Sequence, residues 1–98
     1  MLTQEMIYDA IKTVIDPEVG FDIVSLGLIY NVEIQNGHVD VTMTLSTRGC
    51  PLHELLTQWT KEAVKRLDGV ASCEIIIVWE PTWNITMASD EVQKALGN

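Results

Sequence analysis

Leu28-Ile29-Tyr30-Asn31-Val32-Glu33-Ile34-Gln35-Asn36-Gly37-His38-Val39-Asp40-Val41-Thr42-Met43-Thr44-Leu45 is the stretch whose reading decides the fold. Leu28, Tyr30, Val32 and Ile34 alternate with Ile29, Asn31, Glu33 and Gln35, the period of a strand with one covered face. Beyond Asn36-Gly37 the same period resumes: Val39, Val41, Met43 and Leu45 alternate with His38, Asp40, Thr42 and Thr44. Asn-Gly tolerates positive φ at both central positions of a type I′ turn, so the stretch predicts a tight antiparallel hairpin.

Upstream, Thr3 caps a predicted helix whose apolar stripe is Met6, Ile7, Ala10, Ile11, Val14 and Ile15. Pro17 is expected to stop it, because the residue before a proline is pushed out of helical geometry. Asp16-Pro17-Glu18-Val19-Gly20 then reads as a turn, and Val24 to Gly27 as a short connection into the hairpin. Downstream, Pro51 suits a first helical position, with Leu52, Leu55, Leu56, Trp59, Ala63 and Leu67 facing the core up to Asp68-Gly69. A third strand runs from Cys73 to Trp79. Its run Ile75-Ile76-Ile77-Val78 lacks alternation, which predicts cover on both faces. The extended segment Glu80 to Ala88 and a second copy of the chain are the candidate covers. Ser89 opens a short closing helix to Leu96. The order α-β-β-α-β-α predicts a small two-layer α+β sandwich, with helices on one face of a mainly antiparallel three-stranded sheet.

Ninety-eight residues with 47% hydrophobic content supply one core, so residues 1–98 are read as a single domain. Six basic against fourteen acidic side chains give a net charge of −8, which repels nucleic acid and anionic lipid and favours a basic protein surface. No leader pattern or membrane-length apolar run is present, and the expected location is the cytoplasm. Asn84-Ile85-Thr86 matches a glycosylation acceptor that this location leaves idle.

The two cysteines sit in different contexts, which argues against a disulfide. Cys73 lies within an apolar strand and reads as packing. Cys50 follows Thr44-Leu45-Ser46-Thr47-Arg48-Gly49 and precedes Pro51, which places its thiol at a helix start where unpaired N–H groups favour thiolate. It is thus a candidate nucleophile or soft-metal ligand. Ser46 and Thr47 are candidates to cap the helix or hydrogen-bond the thiolate, and Arg48 to stabilise its charge or, with Trp83, to bind a partner. His53, three residues on, shares its helical face and is a candidate base. Asp16 and Glu18 either satisfy local backbone N–H groups or act beside Cys50. Carboxylates beside a thiolate oppose its ionisation, so their meeting is better explained by a metal or partner site than by a simple nucleophile. Trp83 and Trp79 bracket Glu80-Pro81-Thr82 as a lid on the sheet, with Trp83 also a candidate partner anchor.

Asp16-Pro17-Glu18, Ile23 to Tyr30, Met43 to Pro51, Val78 to Trp83 and Met87-Ala88-Ser89 follow one another as in the MIP18 family, formerly DUF59, and the chain resembles its SufT-like members. The resemblance spans nearly the whole chain. It departs at Arg48 and Thr82, where prolines are usual, and at Ser25, where Asp or Asn is common. It lacks the cysteine-rich extension of PaaD-like members and the phosphate loop of fused carrier proteins. The resemblance implies an auxiliary factor that assembles iron–sulfur clusters or delivers them to client proteins. It puts the family's cysteine on Cys50, its acidic pair on Asp16 and Glu18, and its small hydroxyl residues on Ser46 and Thr47. Protein-bound clusters usually take about four cysteine ligands, so Cys50 implies a transient cluster or iron whose other ligands come from a client, the assembly machinery, a small thiol or a second subunit. None is held by this chain alone. The competing readings are a small enzyme with Cys50 as nucleophile and His53 as base, and a non-catalytic adaptor that binds through Trp83 and the acidic surface. The missing oxyanion device and cofactor motif weigh against the enzyme.

Overall fold

The computed structural model describes residues 2–17, 19–45 and 53–96. Its elements follow the expected order: helix α1 (Gln4–Ile11), strands β1 (Ile29–Gln35) and β2 (His38–Met43), helix α2 (His53–Lys65), strand β3 (Ser72–Ile77), a 3-10 turn (Ile85–Met87) and helix α3 (Asp90–Ala95). β2 lies at the centre of a mixed three-stranded sheet, antiparallel to β1 and parallel to β3. α2 makes the crossover between the parallel strands. α1 packs on α2 and β1, and α2 on β3, so these helices share one face of the α+β domain. No helix among the described residues is long and apolar enough to cross a membrane.

The hairpin forms as its sequence dictates. Asn36 and Gly37 take φ of 52° and 83°, both positive as a type I′ turn requires. Gln35 then faces His38 and Val32 faces Val41. Val39, Val41 and Met43 are buried on the inner face, with Val32 from β1 and Cys73 from β3. The turn also anchors the third strand, since the Gly37 carbonyl accepts from Ala71 N–H at 2.8 Å. The pairing shifts by one residue between Ile29 and Asn31. This bulge frees Tyr30 to donate its hydroxyl to the Pro81 carbonyl at 2.7 Å, which ties the 80–88 segment to β1.

Three expectations are corrected. α1 ends at Ile11 and does not continue to Ile15. Thr13, Val14 and Ile15 are β-branched, and Thr13 turns its hydroxyl back onto the Ala10 carbonyl at 2.7 Å. Ile15 instead forms a bridge with Asp22 and is 45% exposed. The inner stripe of α2 is Leu56, Thr60, Ala63 and Val64, while Trp59 stands at its edge. Thr60 passes as a core residue because its hydroxyl donates to the Leu56 carbonyl at 2.7 Å. β3 does alternate: Cys73 is buried and Ile76, on the outer face, is 38% exposed. The 80–88 segment is tied to the first part of the chain, Trp83 donating to the Leu26 carbonyl and the Pro81 carbonyl accepting from Tyr30.

Gly27 fixes how the last third of the chain meets the first. Its φ is +80°, and a Cβ there would strike the backbone carbonyl of Met87. Next to this approach, Ser89 N–H donates to the Ser25 carbonyl at 2.8 Å. Gly27→Ala is expected to cost about 2 kcal/mol or more, from the strained φ and the displaced carbonyl together. Urea unfolding measures this, and a loss below about 0.5 kcal/mol would refute the close approach.

Candidate functional site

Asp16 sits in the turn after α1. Its N–H donates to the Phe21 carbonyl at 2.9 Å, and its own carbonyl accepts from Gly20 N–H at 2.8 Å. The Ile15–Asp22 bridge closes the loop around Pro17, whose fixed φ suits a turn. A hydrogen bond from Asp22 Oδ2 to Ser25 N–H, with the amide donating at 2.9 Å, holds the following turn. The result is a carboxylate only 9% exposed. It lines a small cavity of about 40 Å³ with Val19, Leu26, Leu28, Trp83 and Leu96.

Trp83 reaches this cavity from the far end of the chain. Its Nε1–H donates to the Leu26 carbonyl at 2.7 Å, so the ring is half-buried with its polar edge satisfied. The two predicted site residues Asp16 and Trp83, 67 positions apart by number, are thereby brought to one cavity.

The cavity wall also meets the exit of β2. Thr44 N–H donates to the carbonyl of Leu28, a wall residue, at 2.8 Å. Thr44 and Leu45 are both buried, and from there the chain enters the cysteine segment. Ser46, Thr47, Arg48 and Cys50 lie outside the described residues, as does Glu18. His53 begins α2, and its side chain lies outside them too.

Thr44 is the residue that pattern reading missed. Strand alternation assigned it to the outer face with Thr42, yet it is 1% exposed. Its Oγ1 has no hydrogen-bond partner among the described residues. A buried hydroxyl left without a partner costs roughly 1–3 kcal/mol, so Thr44 Oγ1 either carries that cost or is satisfied from outside the described residues. No sequence signal distinguishes it from Thr42.

Cys73 behaves as expected of a packed residue. It is buried on the core face of β3 and unpaired. Burial pushes its thiol up from the ordinary range; Asp40 adds to the rise, while Lys61 and Lys65 oppose it. The folded protein therefore holds the Cys73 proton more tightly than the unfolded chain does.

A mixed sheet of this order, with a helical crossover and a cysteine segment leaving the central strand, defines a class of small α+β domains already represented by solved structures. One is a DUF59 domain from Bacillus anthracis, 34% identical with a TM-score of 0.89, the match covering 96% of this chain and 91% of that one. Another is a conserved hypothetical protein from Thermotoga maritima, 37% identical with a TM-score of 0.89 over 99% and 96% of the two chains. The chain belongs to the iron–sulfur cluster assembly protein family, the MIP18 or DUF59 family, whose model matches residues 4–76. It is similar to the Fe-S protein maturation auxiliary factor YitW of Bacillus subtilis, with 41% identity over 96% of this chain and 93% of the relative. It is likewise similar to the Fe-S protein maturation auxiliary factor SufT of Staphylococcus aureus, with 40% identity over 86% and 97%.

Two outcomes follow from these side chains. Thr44→Val keeps the shape and removes a hydroxyl that has no partner among the described residues, so it is expected to stabilise the isolated protein by about 1 kcal/mol; a thermal melt reads this, and a clear destabilisation would mean that a residue outside them satisfies the hydroxyl. For Cys73, the raised native pKa means that its contribution to stability is present below the unfolded thiol's pKa and is lost as pH rises through and above it. In a Cys50→Ser background, Cys73 is expected to resist alkylation at pH 8 until denaturant is added. Rapid labelling of the native protein would contradict its burial.

Proposed function

We propose that this protein is an auxiliary factor in iron–sulfur cluster assembly or delivery to client proteins, with Cys50 as its working thiol. Family membership over residues 4–76, joined to 41% identity with a maturation auxiliary factor along almost its whole length, is the observation that carries the reading. On this reading residues 1–98 act as one unit, and the cluster or its iron is cargo.

Cys73 is buried with its thiol pKa raised, which leaves Cys50 as the chain's remaining thiol. A cluster usually takes about four cysteine ligands. Cargo contacting Cys50 therefore draws its other ligands from a client apoprotein, from the assembly machinery or from a second copy of this chain. Incomplete ligation suits transfer, because a client offering more thiolates wins the cargo by the number of bonds it makes.

In this scheme Asp16, with Glu18, shapes the site from the side of the small cavity. Ser46 and Thr47 order the loop and hydrogen-bond the thiolate, and Arg48 offsets negative charge. A carboxylate close to a thiolate raises its pKa unless a cation lies between them. An acidic site around one cysteine thus prefers the iron-loaded state to the empty one. Trp83 acts indirectly, by holding the cavity wall.

The test is complementation of a strain lacking the protein, scored by the activity of iron–sulfur client enzymes. Wild type and His53→Ala are expected to restore it, Cys50→Ser to fail, and Asp16→Asn to lose roughly tenfold, as removal of a supporting carboxylate does at metal sites. Thermal melts of each variant separate loss of function from loss of fold. Full activity with Cys50→Ser would overturn the thiol's role, and a His53→Ala defect equal to that of Cys50→Ser would favour a cysteine-dependent enzyme.

A further inference from the structure

The outer face of the sheet carries a row of charge that the proposed function does not use. Strand pairing sets Glu33 opposite Asp40, and Asp40 opposite Glu74, so three carboxylates lie side by side across the three strands. Like charges directly opposite each other destabilise a sheet, and in a chain of net charge −8 the effect is compounded. His38 stands two residues before Asp40 on the same face, opposite Ser72. It is the one imidazole placed against this row among the described residues.

The ring is held in a defined pose. Nδ1 lies 2.6 Å from Ser72 Oγ, and Nε2 lies 2.7 Å from Asp40 Oδ1. The donor atoms of His38, Asp40 and Glu74 all lie within 4.8 Å of one another. Donors around one tetrahedral cation at about 2.1 Å lie roughly 3.4 Å apart, so side-chain shifts of about 1–1.5 Å bring this trio onto a common ion.

We propose that His38, Asp40 and Glu74 form a binding site for a divalent first-row transition cation, with Ser72 orienting the imidazole from behind. One imidazole nitrogen and two carboxylates make a nitrogen–oxygen donor set suited to Zn²⁺, Fe²⁺ or Mn²⁺, without the thiolate that selects softer ions. With Nδ1–H donated to Ser72 Oγ, the Nε2 lone pair faces the carboxylates. This is the arrangement in which metal-bound histidines are usually held by a partner on the other nitrogen. A neutral ring that donates Nε2–H to Asp40 in the metal-free protein presents its Nε2 lone pair to the cation once that single proton sits on Nδ1, so binding requires no net proton loss. The cation also offsets the repulsion along the Glu33–Asp40–Glu74 row.

The site differs in place and chemistry from the cysteine segment. His38 begins β2, whereas the cysteine segment follows its other end, roughly 17 Å further along by strand rise from His38 to Met43. Its ligands come from two neighbouring strands held in fixed register, so the position does not depend on a loop.

The test titrates Zn²⁺ alone into the full chain by calorimetry, in a Cys50→Ser background that removes thiol ligation there. One equivalent is expected to bind, and His38→Ala or Glu74→Gln to weaken it at least tenfold, with unchanged far-ultraviolet circular dichroism. The chain has two histidines, so NMR of the imidazoles, with His53→Ala for assignment, gives a readout without altering the site. Zn²⁺ is expected to shift the His38 signals and leave those of His53 in place. Absence of binding at millimolar Zn²⁺, binding unchanged in both site variants, or a shift confined to His53 would each overturn the site. None of these results would touch the role proposed for Cys50, which is read from client enzyme activity.

Discussion

β2 is paired along both edges, antiparallel to β1 and parallel to β3, and its register governs the arrangement of everything else. Val39, Val41 and Met43 are fully buried, while His38, Asp40 and Thr42 face outward and are half-buried. A slip of one residue would exchange these sets, placing an imidazole and a carboxylate in the core and three apolar side chains in water. Burying an unpaired charge costs several kcal/mol, so that alternative is strongly disfavoured. The Asn36-Gly37 turn fixes the register from one end, where its backbone also receives the start of β3 through Ala71. At the other end, Val78 N–H donates to the Met43 carbonyl at 2.9 Å, so β3 follows β2 throughout.

Because β2 is fixed, its exit is fixed, and the first segment of the chain is built around that exit. Thr44 is bound to Leu28, Leu28 is two residues from Tyr30, and Tyr30 holds Pro81. Gly27 meanwhile admits the Met87 carbonyl, and Trp83 closes on Leu26. These contacts join residues 22–30, the end of β2 and residues 79–89 into one small assembly. Asp16 is on its border through the cavity it shares with Leu28 and Trp83. A residue as distant in sequence as Trp83 thus supports the ground from which the cysteine segment departs.

Periodicity made the hairpin, the crossover helix and the cap at Ser89 legible, because each has a local physical cause. It failed where a side chain's role depended on a partner outside its own element. Thr60 reads as polar in α2 until its hydroxyl is seen to bond within the helix. Ile76 reads as core because its neighbours are isoleucines, although β3 turns it outward. Ile15 fits a helical stripe, but three β-branched residues in succession and a turn closing on Asp22 draw it into extended geometry. The bulge at Tyr30 and the burial of Thr44 have no signal in the pattern, since both arise from how other segments fold over the hairpin. For the site, residue types and family likeness named Asp16 and Trp83, but their shared cavity required the tertiary fold. His38, Asp40 and Glu74 escaped notice because two lie on one strand and the third is brought alongside only by the parallel crossover.

The two faces of the sheet make different demands on thiol chemistry, and neither favours a thiolate. A cysteine on the inner face is desolvated, as Cys73 is, so its thiolate is disfavoured and its sulfur is sealed from any partner. A cysteine on the outer face of β2 would stand in a carboxylate row, where repulsion also opposes ionisation. By sequence Cys50 follows the end of β2 and precedes Pro51, the position read as a helix start, where N–H groups favour an anion. A carrier also has to release what it holds. Under the proposed reading, a single thiol in that position binds cargo strongly enough to contact it and too incompletely to retain it against a client with several ligands. On that reading a second thiol of equal reach would strengthen capture but slow transfer, and the burial of Cys73 keeps it from serving as one.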